Sequence, residues 1–267
     1  MDISSSMFLA QGTGFDKQCK VLSPTTQSQQ ASQAIYCALE IIDAIRCHRS
    51  YLYKELTNQQ LRLGELSAIK RRIKTLSLEL SNHPSLGSST ERRILTLRLQ
   101  QLVLKKQRSS FTKQLVVHGQ VIRLLFFCCD CAMLRMAKGN KLAVSTYIEQ
   151  WQTLSDVIDA LTQYRVSIGF LIQRDGHNPK LLLGRAISLL NKVRRFNQQK
   201  ITTSHSFNQI IMRLNTTMDA MKVGSYVPGY WLYDETNNLS RELIKLYRQI
   251  ILQQMNRCTI SQDNDIA

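Results

Sequence analysis

Apolar residues recur every three, four or seven positions through most of the chain, which is the spacing of an amphipathic helix. The first stripe of this kind begins at Ile35 and ends at Leu80, with no proline in between. It predicts one long helix over residues 32–80. Gly64 lies within that span, and because glycine weakens a helix interior by about 1 kcal/mol, a break at Gly64 is the alternative that the pattern leaves open.

A second long helix is predicted over 89–137, after a loop marked by proline and glycine at 81–89. Ser89 or Thr90 would cap it, with Glu91 in the first turn, where the helix dipole favours an acid. Two such helices joined by a short loop would form an antiparallel hairpin about 70 Å long, with a seam like that of a coiled coil. The stripe predicted to be buried in the second helix is Ile94, Leu97, Leu104, Phe111, Leu115, His118, Ile122 and Leu125.

The rest of the chain predicts four shorter helices, over about 142–174, 180–197, 206–223 and 238–256. No segment alternates apolar and polar residues in the manner of a strand. We therefore expect an all-α protein in which a long antiparallel helical hairpin packs with, or is followed by, a bundle of about four shorter helices. The expected organisation is a flexible N-terminal tail (1–31), the basic hairpin (32–137), the bundle (141–258) and a flexible C-terminal tail (259–267). The Ser-rich start of the tail could instead be an export signal.

Composition narrows the class of protein further. The chain has 267 residues, 43% of them hydrophobic, and only 4 prolines and 11 glycines, which excludes a collagen, a turn-dense β-sandwich and a wholly disordered chain. Its longest apolar run is broken by Asp130 and falls short of the roughly 18 residues that span a membrane. The 7 cysteines lie mostly in helix-patterned segments, so we expect reduced thiols and a cytoplasmic location.

Positive charge is concentrated in two segments. The chain has 35 Lys and Arg against 19 Asp and Glu, a net charge of +16, and residues 44–141 and 178–224 carry this excess. Few of these basic residues have an acid four positions away, so an anionic partner is expected to bind them. The predicted contacts to a nucleic-acid backbone are Lys70, Arg71, Arg72, Lys74, Arg92, Arg93, Arg98, Lys105, Lys106, Arg108, Lys113, Lys192, Arg194 and Arg195.

The sequence thus predicts a non-enzymatic accessory protein that binds DNA or RNA through the phosphates. The alternative is a helical scaffold or adaptor of a bacterial secretion or transfer apparatus, which would bind an acidic protein partner. The seam of the hairpin could also pair with a second copy of the chain to form a homodimer. No nucleotide-binding, hydrolase or metalloprotease motif is present in the sequence, and we expect no cofactor.

Two short motifs have a structural and a chemical interpretation. Cys128 and Cys131 have C-x-x-C spacing, but Cys37, Cys47, His48 and His118, the candidates for further zinc ligands, are scattered, so we interpret the cysteines as core thiols and expect no metal. The segment 226–233 holds four aromatic residues beside a Pro-Gly pair. It could stack on unpaired bases, although packing across the end of a bundle is the commoner role.

Overall fold

The all-α prediction is confirmed: in the computed structural model every regular element is helical within the described residues, which are 24–57, 64–104, 110–137, 141–173, 178–198 and 205–264. A short 3-10 helix, Pro84–Leu86, separates the second and third α-helices. The α-helices of the described residues are α1 (Pro24–Leu56), α2 (Glu65–Ser81), α3 (Ser89–Leu104), α4 (Phe111–Met136), α5 (Lys141–Gln173), α6 (Pro179–Gln198), α7 (His205–Lys222) and α8 (Gly229–Asn264).

Four long helices, α1, α4, α5 and α8, form the centre of the molecule. Helix α1 lies antiparallel to α4, because Ser32 contacts Met136 near one end and the ring of Tyr53 lies 6.1 Å from that of Phe111 near the other. Helix α5 packs against both α4 and α8, and α8 closes the arrangement by contacting α1 and α4. The buried apolar side chains of all four helices belong to one continuous core.

Each half of the chain repeats the same order of packing. In α1–α4 the long first and last helices pack against each other, and the shorter α2 and α3 form an outer hairpin on them; α5–α8 have the same arrangement, with α6 and α7 outside. Because consecutive helices are joined by short connections, each lies antiparallel to the helix before it. The two outer hairpins therefore rest on different halves of the central layer.

The predicted helix over 32–80 is wrong, and its alternative, a break at Gly64, is what the structure has. Gly64 precedes α2 with φ of 83°, a left-handed conformation that glycine adopts without steric cost. Helix α2 then doubles back along α1, where Arg72 pairs with Glu40 and the Cys37 thiol lies 3.6 Å from the Leu76 carbonyl oxygen. A 70 Å hairpin of two continuous helices does not form.

The predicted helix over 89–137 is also divided in two. Ser110 has an extended ψ of 150°, and its hydroxyl accepts a hydrogen bond from the Lys113 N–H, which caps α4. This break changes the phase of the stripe, so the prediction holds for α4 and fails for Ile94 and Leu97 of α3, while the burial of Leu104 lies outside what the structure describes. Ile94 and Leu97 are 45% and 50% exposed. The buried positions of α3 are Leu95, Leu99 and Leu102.

The cap of α3 lies one residue before the two predicted positions. The Ser88 hydroxyl accepts a hydrogen bond from the Glu91 N–H at 3.2 Å, and the Glu91 carboxylate accepts one from the Ser88 N–H at 2.7 Å. This reciprocal pair is a capping box, the Ser-x-x-Glu arrangement that satisfies two backbone donors at once. The Ser88 N–H and the Ser88 hydroxyl both donate to the Glu91 carboxylate, and these two hydrogen bonds lower the pKa of Glu91.

Three further boundaries differ from the prediction, while α5, α6 and α7 agree with it to within one or two residues. Helix α1 starts at Pro24, so residues 24–31 are helical and do not belong to a tail. Helix α8 runs from Gly229 to Asn264, so it includes most of the aromatic segment and part of the predicted C-terminal tail. The remaining tail residues, 1–23 and 265–267, lie outside the described residues.

Helix α4 is the one helix of the described residues that is long and apolar enough to span a membrane. The sequence prediction had found no such run, because Asp130 interrupts it. Half of its most apolar window is buried inside the fold, and α4 packs against α1, α3, α5 and α8. A core helix of a soluble fold meets the same criteria of length and composition.

Gly169 on α5 lies in a crowded environment, whereas Gly184 on α6 does not, and the pair tests how closely α5 packs against α4. A Cβ at Gly169 would lie 2.8 Å from the Thr112 hydroxyl and 3.4 Å from the Thr112 Cα, whereas a Cβ at Gly184 on α6 would have nothing within 4 Å. We expect Gly169→Ala to lower the free energy of unfolding by about 1 kcal/mol, because crowding outweighs helix propensity there. Gly184→Ala should raise it by about 0.5–1 kcal/mol. Urea unfolding measures both, and equal stabilisation would contradict close packing of α4 on α5.

Candidate binding surface on α2 and α3

The predicted cationic residues lie in separate parts of the fold. Those of α2 and α3 share the outer hairpin of the first half, and Lys113 lies in the first turn of α4. Lys192, Arg194 and Arg195 lie on α6, which packs against α5 and α7 in the other half. The α6 cations, which the prediction included among the nucleic-acid contacts, thus lie on the outer hairpin of the other half and not on that of α2 and α3. Lys105, Lys106 and Arg108 lie outside the described residues.

Several of these cations already have partners within the protein. Arg72 pairs with Glu40 on α1, and the Arg92 guanidinium donates to the Gly87 carbonyl oxygen at 2.6 Å. On α6, Lys192 lies 3.9 Å from a carboxylate oxygen of Asp156. In addition, Arg194 donates to Asn215 and Arg98 donates to Gln101. Some basic residues that have no acid four positions away on their own helix are thus neutralised by acids of a neighbouring helix.

The remaining cations of the hairpin lie together around a groove. Among the described residues, no ion pair involves Lys70, Arg71, Lys74 or Arg93. Lys74 lines the groove between α2 and α3, and Lys70 lies one turn before it on the same face. Arg71 and Arg93 each lie seven residues before a groove-lining residue, which places them on the same side of their helices.

The groove itself is mostly apolar. It has a volume of about 280 Å³, and the residues that line it are Ile73, Lys74, Ser77, Leu78, Leu99, Gln100 and Val103. Exposed apolar side chains lie at the groove and next to it, since Leu78, which lines it, is 57% exposed and Leu97, one turn before the lining residue Gln100, is 50% exposed. We call the groove, these exposed apolar residues and the four unpaired cations the α2–α3 face. It combines exposed apolar area with positive charge.

No acidic residue lines the groove; of the three carboxylates of the hairpin, Glu65 lies in the first turn of α2 and the other two are engaged elsewhere. Glu91 is held in the capping box with Ser88, and the Glu79 carboxylate lies near Cys37 on α1. The α2–α3 face is therefore electropositive as well as apolar. A surface of this kind suits an anionic partner that also presents apolar side chains.

Sequence reasoning missed a buried polar centre where α1, α4, α5 and α8 meet. His48 and His118 are both buried, and the His48 Nδ1–H donates to His118 Nε2 at 2.9 Å, because His118 Nδ1 donates to the Gln114 carbonyl oxygen. His118 had been placed on an apolar stripe, and its burial there is confirmed. Its partner, His48, is 70 positions away, so no local signal joins the two rings.

Two arginines lie in the same centre without a carboxylate partner among the described residues. Arg165 donates to the hydroxyl and to the carbonyl oxygen of Thr236, and Arg49 donates to the Ser240 hydroxyl at 3.4 Å. Only 4% of Arg165 and 5% of Arg49 are exposed. Burial lowers the pKa of both guanidinium groups. Their hydrogen bonds join α5 and α1 to α8.

The aromatic segment is divided between this core and the surface. Tyr233 is fully buried and stacks on Tyr53 with ring centroids 4.0 Å apart, while its ring meets Phe111 edge-on. By contrast, Tyr226 and Tyr230 are 83% and 58% exposed. Burial of Tyr233 among other rings agrees with the packing role that the sequence favoured for this segment.

Of the C-x-x-C pair on α4, Cys128 is a core side chain and Cys131 is half-buried. Cys128 and Cys129 are buried, and burial raises the pKa of Cys128 to about 12. The adjacent Asp130 accepts a hydrogen bond from Tyr147, and burial raises its pKa to about 7. The other candidate ligands, His48 and His118, lie in the polar centre, so none of them joins the C-x-x-C pair.

A second groove lies between α4, α5 and α6. It has a volume of about 360 Å³ and contains the ion pair between Arg123 and Asp159. Burial raises the pKa of Asp159, although Arg123 partly opposes this shift. None of the fourteen predicted contact residues lines this groove.

Comparisons with known proteins do not assign the chain to a family. A scan against protein-family models found no match to the chain, and searches of curated proteins and of solved structures found none either.

The histidine pair makes stability depend on pH. Burial is the largest cause that lowers the pKa of both rings, and it is reinforced by Lys70 for His48 and by the charged neighbours Arg49 and Arg165 for His118. In the unfolded chain both rings bind protons below about pH 6.5, so the unfolded state takes up more protons than the folded state. The stability from the neutral rings is present above that pH and decreases as the pH falls below it.

We expect protonation of the two histidines in the unfolded chain to lower the free energy of unfolding by about 1–3 kcal/mol between about pH 7.5 and about pH 5.5. Proton uptake by Asp130 in the folded protein partly offsets this fall, and urea denaturation measures the sum. His48→Gln should reduce this dependence, and His83→Gln, which changes a half-buried histidine outside the pair, should retain it. A pH dependence of His48→Gln equal to that of the unmodified protein would contradict the assignment.

Proposed function

We propose that this protein is a non-enzymatic adaptor that binds an acidic, amphipathic helix of a partner protein in the groove of the α2–α3 face. The observation that carries the proposal is the juxtaposition of the apolar groove with four cations that form no ion pair with described residues. A partner helix could place leucine-like side chains in the groove while its carboxylates meet Lys70, Lys74 and Arg93. This is a common mode of helix recognition, with apolar anchors at i, i+3, i+4 and i+7.

The apolar component of the face favours a protein partner over nucleic acid. A phosphate backbone makes use of positive charge alone, and it would leave Leu78 and Leu97 exposed to water in the complex. Burying apolar surface contributes about 25 cal/mol per Å², which a helix can exploit and a phosphate backbone cannot. Nucleic-acid binding, the first expectation from the sequence, is therefore the alternative that the experiment distinguishes.

Charge also argues against a second copy of the chain as the occupant. Two α2–α3 faces brought together would oppose their unpaired cations, and like charges in contact are unfavourable. The buried or neutral thiols of Cys37, Cys128 and Cys129 suit a reducing compartment, so we propose a cytoplasmic location for the adaptor.

The proposal is tested by fluorescence anisotropy with three labelled probes at matched ionic strength. The first is a designed helical peptide with leucines on one face and glutamates on the other, the second is a scrambled peptide of the same composition, and the third is single- or double-stranded DNA. We expect the amphipathic peptide to bind more tightly than the scrambled one. Leu78→Ser should weaken peptide binding by about tenfold, since it removes roughly 1.4 kcal/mol of apolar contact.

Charge variants complete the test. Replacement of Lys70, Arg71 and Lys74 by glutamine should weaken peptide binding and reduce its salt dependence. Arg195→Gln, which removes an exposed cation of α6, serves as the matched control and should leave binding unchanged. Equal affinity for both peptides, or DNA binding that is stronger and insensitive to Leu78→Ser, would overturn the adaptor proposal.

A further inference from the structure

Three potential metal ligands from different parts of the sequence meet at one end of α2. They are the thiol of Cys37 on α1, the carboxylate of Glu79 in the last turn of α2, and the imidazole of His83 just after that helix. Their ligand atoms all lie within 4.8 Å of one another. Cys37 is buried, His83 is half-buried and Glu79 is exposed, so the cluster lies at the edge of the core with one side open to solvent.

Glu79 is in an electrostatically unfavourable position without a metal ion. The C-terminal end of a helix carries partial negative charge, which disfavours a carboxylate there, and no basic residue lies in the last turn of α2. No described residue forms an ion pair with Glu79. Burial raises the pKa of the Cys37 thiol to about 12, and the charges of Glu79 and of Glu40, which itself pairs with Arg72, add to this shift. A negative spot of this kind within a chain of net charge +16 would be stabilised by a bound cation.

The chemistry of the three ligands selects the metal. Sulfur, nitrogen and oxygen donors together are typical of Zn²⁺, at about 2.0–2.3 Å from the ion, whereas Mg²⁺ and Ca²⁺ prefer oxygen alone. Glu79 and His83 are four residues apart across the end of a helix, and both are at least partly exposed, so their side chains can move toward a common centre. We propose that Cys37, Glu79 and His83 bind Zn²⁺, with water as a further ligand.

The site would join α1 to the segment between α2 and α3. That segment sets the angle at which α3 leaves α2, and therefore the width of the groove on the α2–α3 face. The inference depends only on the three ligands and not on the adaptor proposal, because metal binding is measured without any partner.

Cobalt titration of the full-length, reduced and chelator-treated protein tests the site. Co²⁺ substitutes for Zn²⁺ and gives a thiolate charge-transfer absorption when cysteine is a ligand. We expect this absorption to saturate at one Co²⁺ per chain and to disappear when Zn²⁺ is added. Cys37→Ser should lose it, and Zn²⁺ should raise the melting temperature of the unmodified protein but not that of His83→Gln.

The controls separate this site from the other thiols. Cys47→Ser removes an exposed cysteine of the same helix, and Cys131→Ser disrupts the C-x-x-C pair; both should retain the absorption. His83→Gln leaves the core cysteine intact, so it remains informative if Cys37→Ser does not fold. An absorption that is absent from the unmodified protein, or lost in Cys131→Ser and retained in Cys37→Ser, would overturn the inference.

Discussion

The buried guanidinium groups of Arg49 and Arg165 impose the constraint that the central helices satisfy. A buried cation must have hydrogen-bond acceptors, because a buried charge that loses its acceptors is strongly destabilising. Helix α8 supplies those acceptors from successive turns, with Thr236 facing α5 and Ser240 facing α1. A shift of α8 along its axis would separate both arginines from their acceptors. The polar centre therefore fixes the register of three helices, which apolar contacts alone would specify less uniquely.

The outer hairpins are free of this constraint and differ in their surfaces. Helices α2 and α3 contact the centre through few buried side chains and present apolar and cationic groups to solvent. On α6, Lys192 and Arg194 are instead engaged by Asp156 and Asn215. The two halves thus share one order of packing, but among the described residues four cations without an ion pair lie beside the groove of the first half, whereas the groove of the second half is lined by one, Arg185, and by the ion pair of Arg123 and Asp159. This difference is the reason for assigning the binding role to α2 and α3.

Sequence patterning predicted most helices, and it failed where the chain turns without changing its period. The apolar stripe that ends at Leu80 keeps helical spacing across Gly64. The chain reverses there, and the part of the stripe on α1 then packs against the part on α2. At Ser110 the phase changes, and the apolar residues of α3 occur on more than one side, so the wrong stripe was selected. Proline and glycine marked the ends of α5 and α6 clearly, and there the prediction was accurate.

The candidate site was predictable only in part, because the sequence pattern does not show contacts between residues that are distant along the chain. The cations of α2 and α3 follow from local composition, but their pairing does not. Arg72 finds its carboxylate 32 residues away, and Arg92 is occupied by a loop carbonyl oxygen. Cys37 was recognised as a possible ligand from its residue type, while Glu79 and His83 become candidates only when α2 folds back on α1. Long-range packing therefore determines which charges remain available.

The packing of α4 has a consequence for synthesis of the chain. Phe126 on this helix is covered by Trp151 of α5 and Tyr247 of α8, both of which leave the ribosome after it. At about 5–20 residues per second, the nascent chain carries an uncovered, membrane-like segment for seconds before its shielding helices emerge. In newly made molecules the apolar surface of α4 thus stays exposed until α5 and α8 have been synthesised.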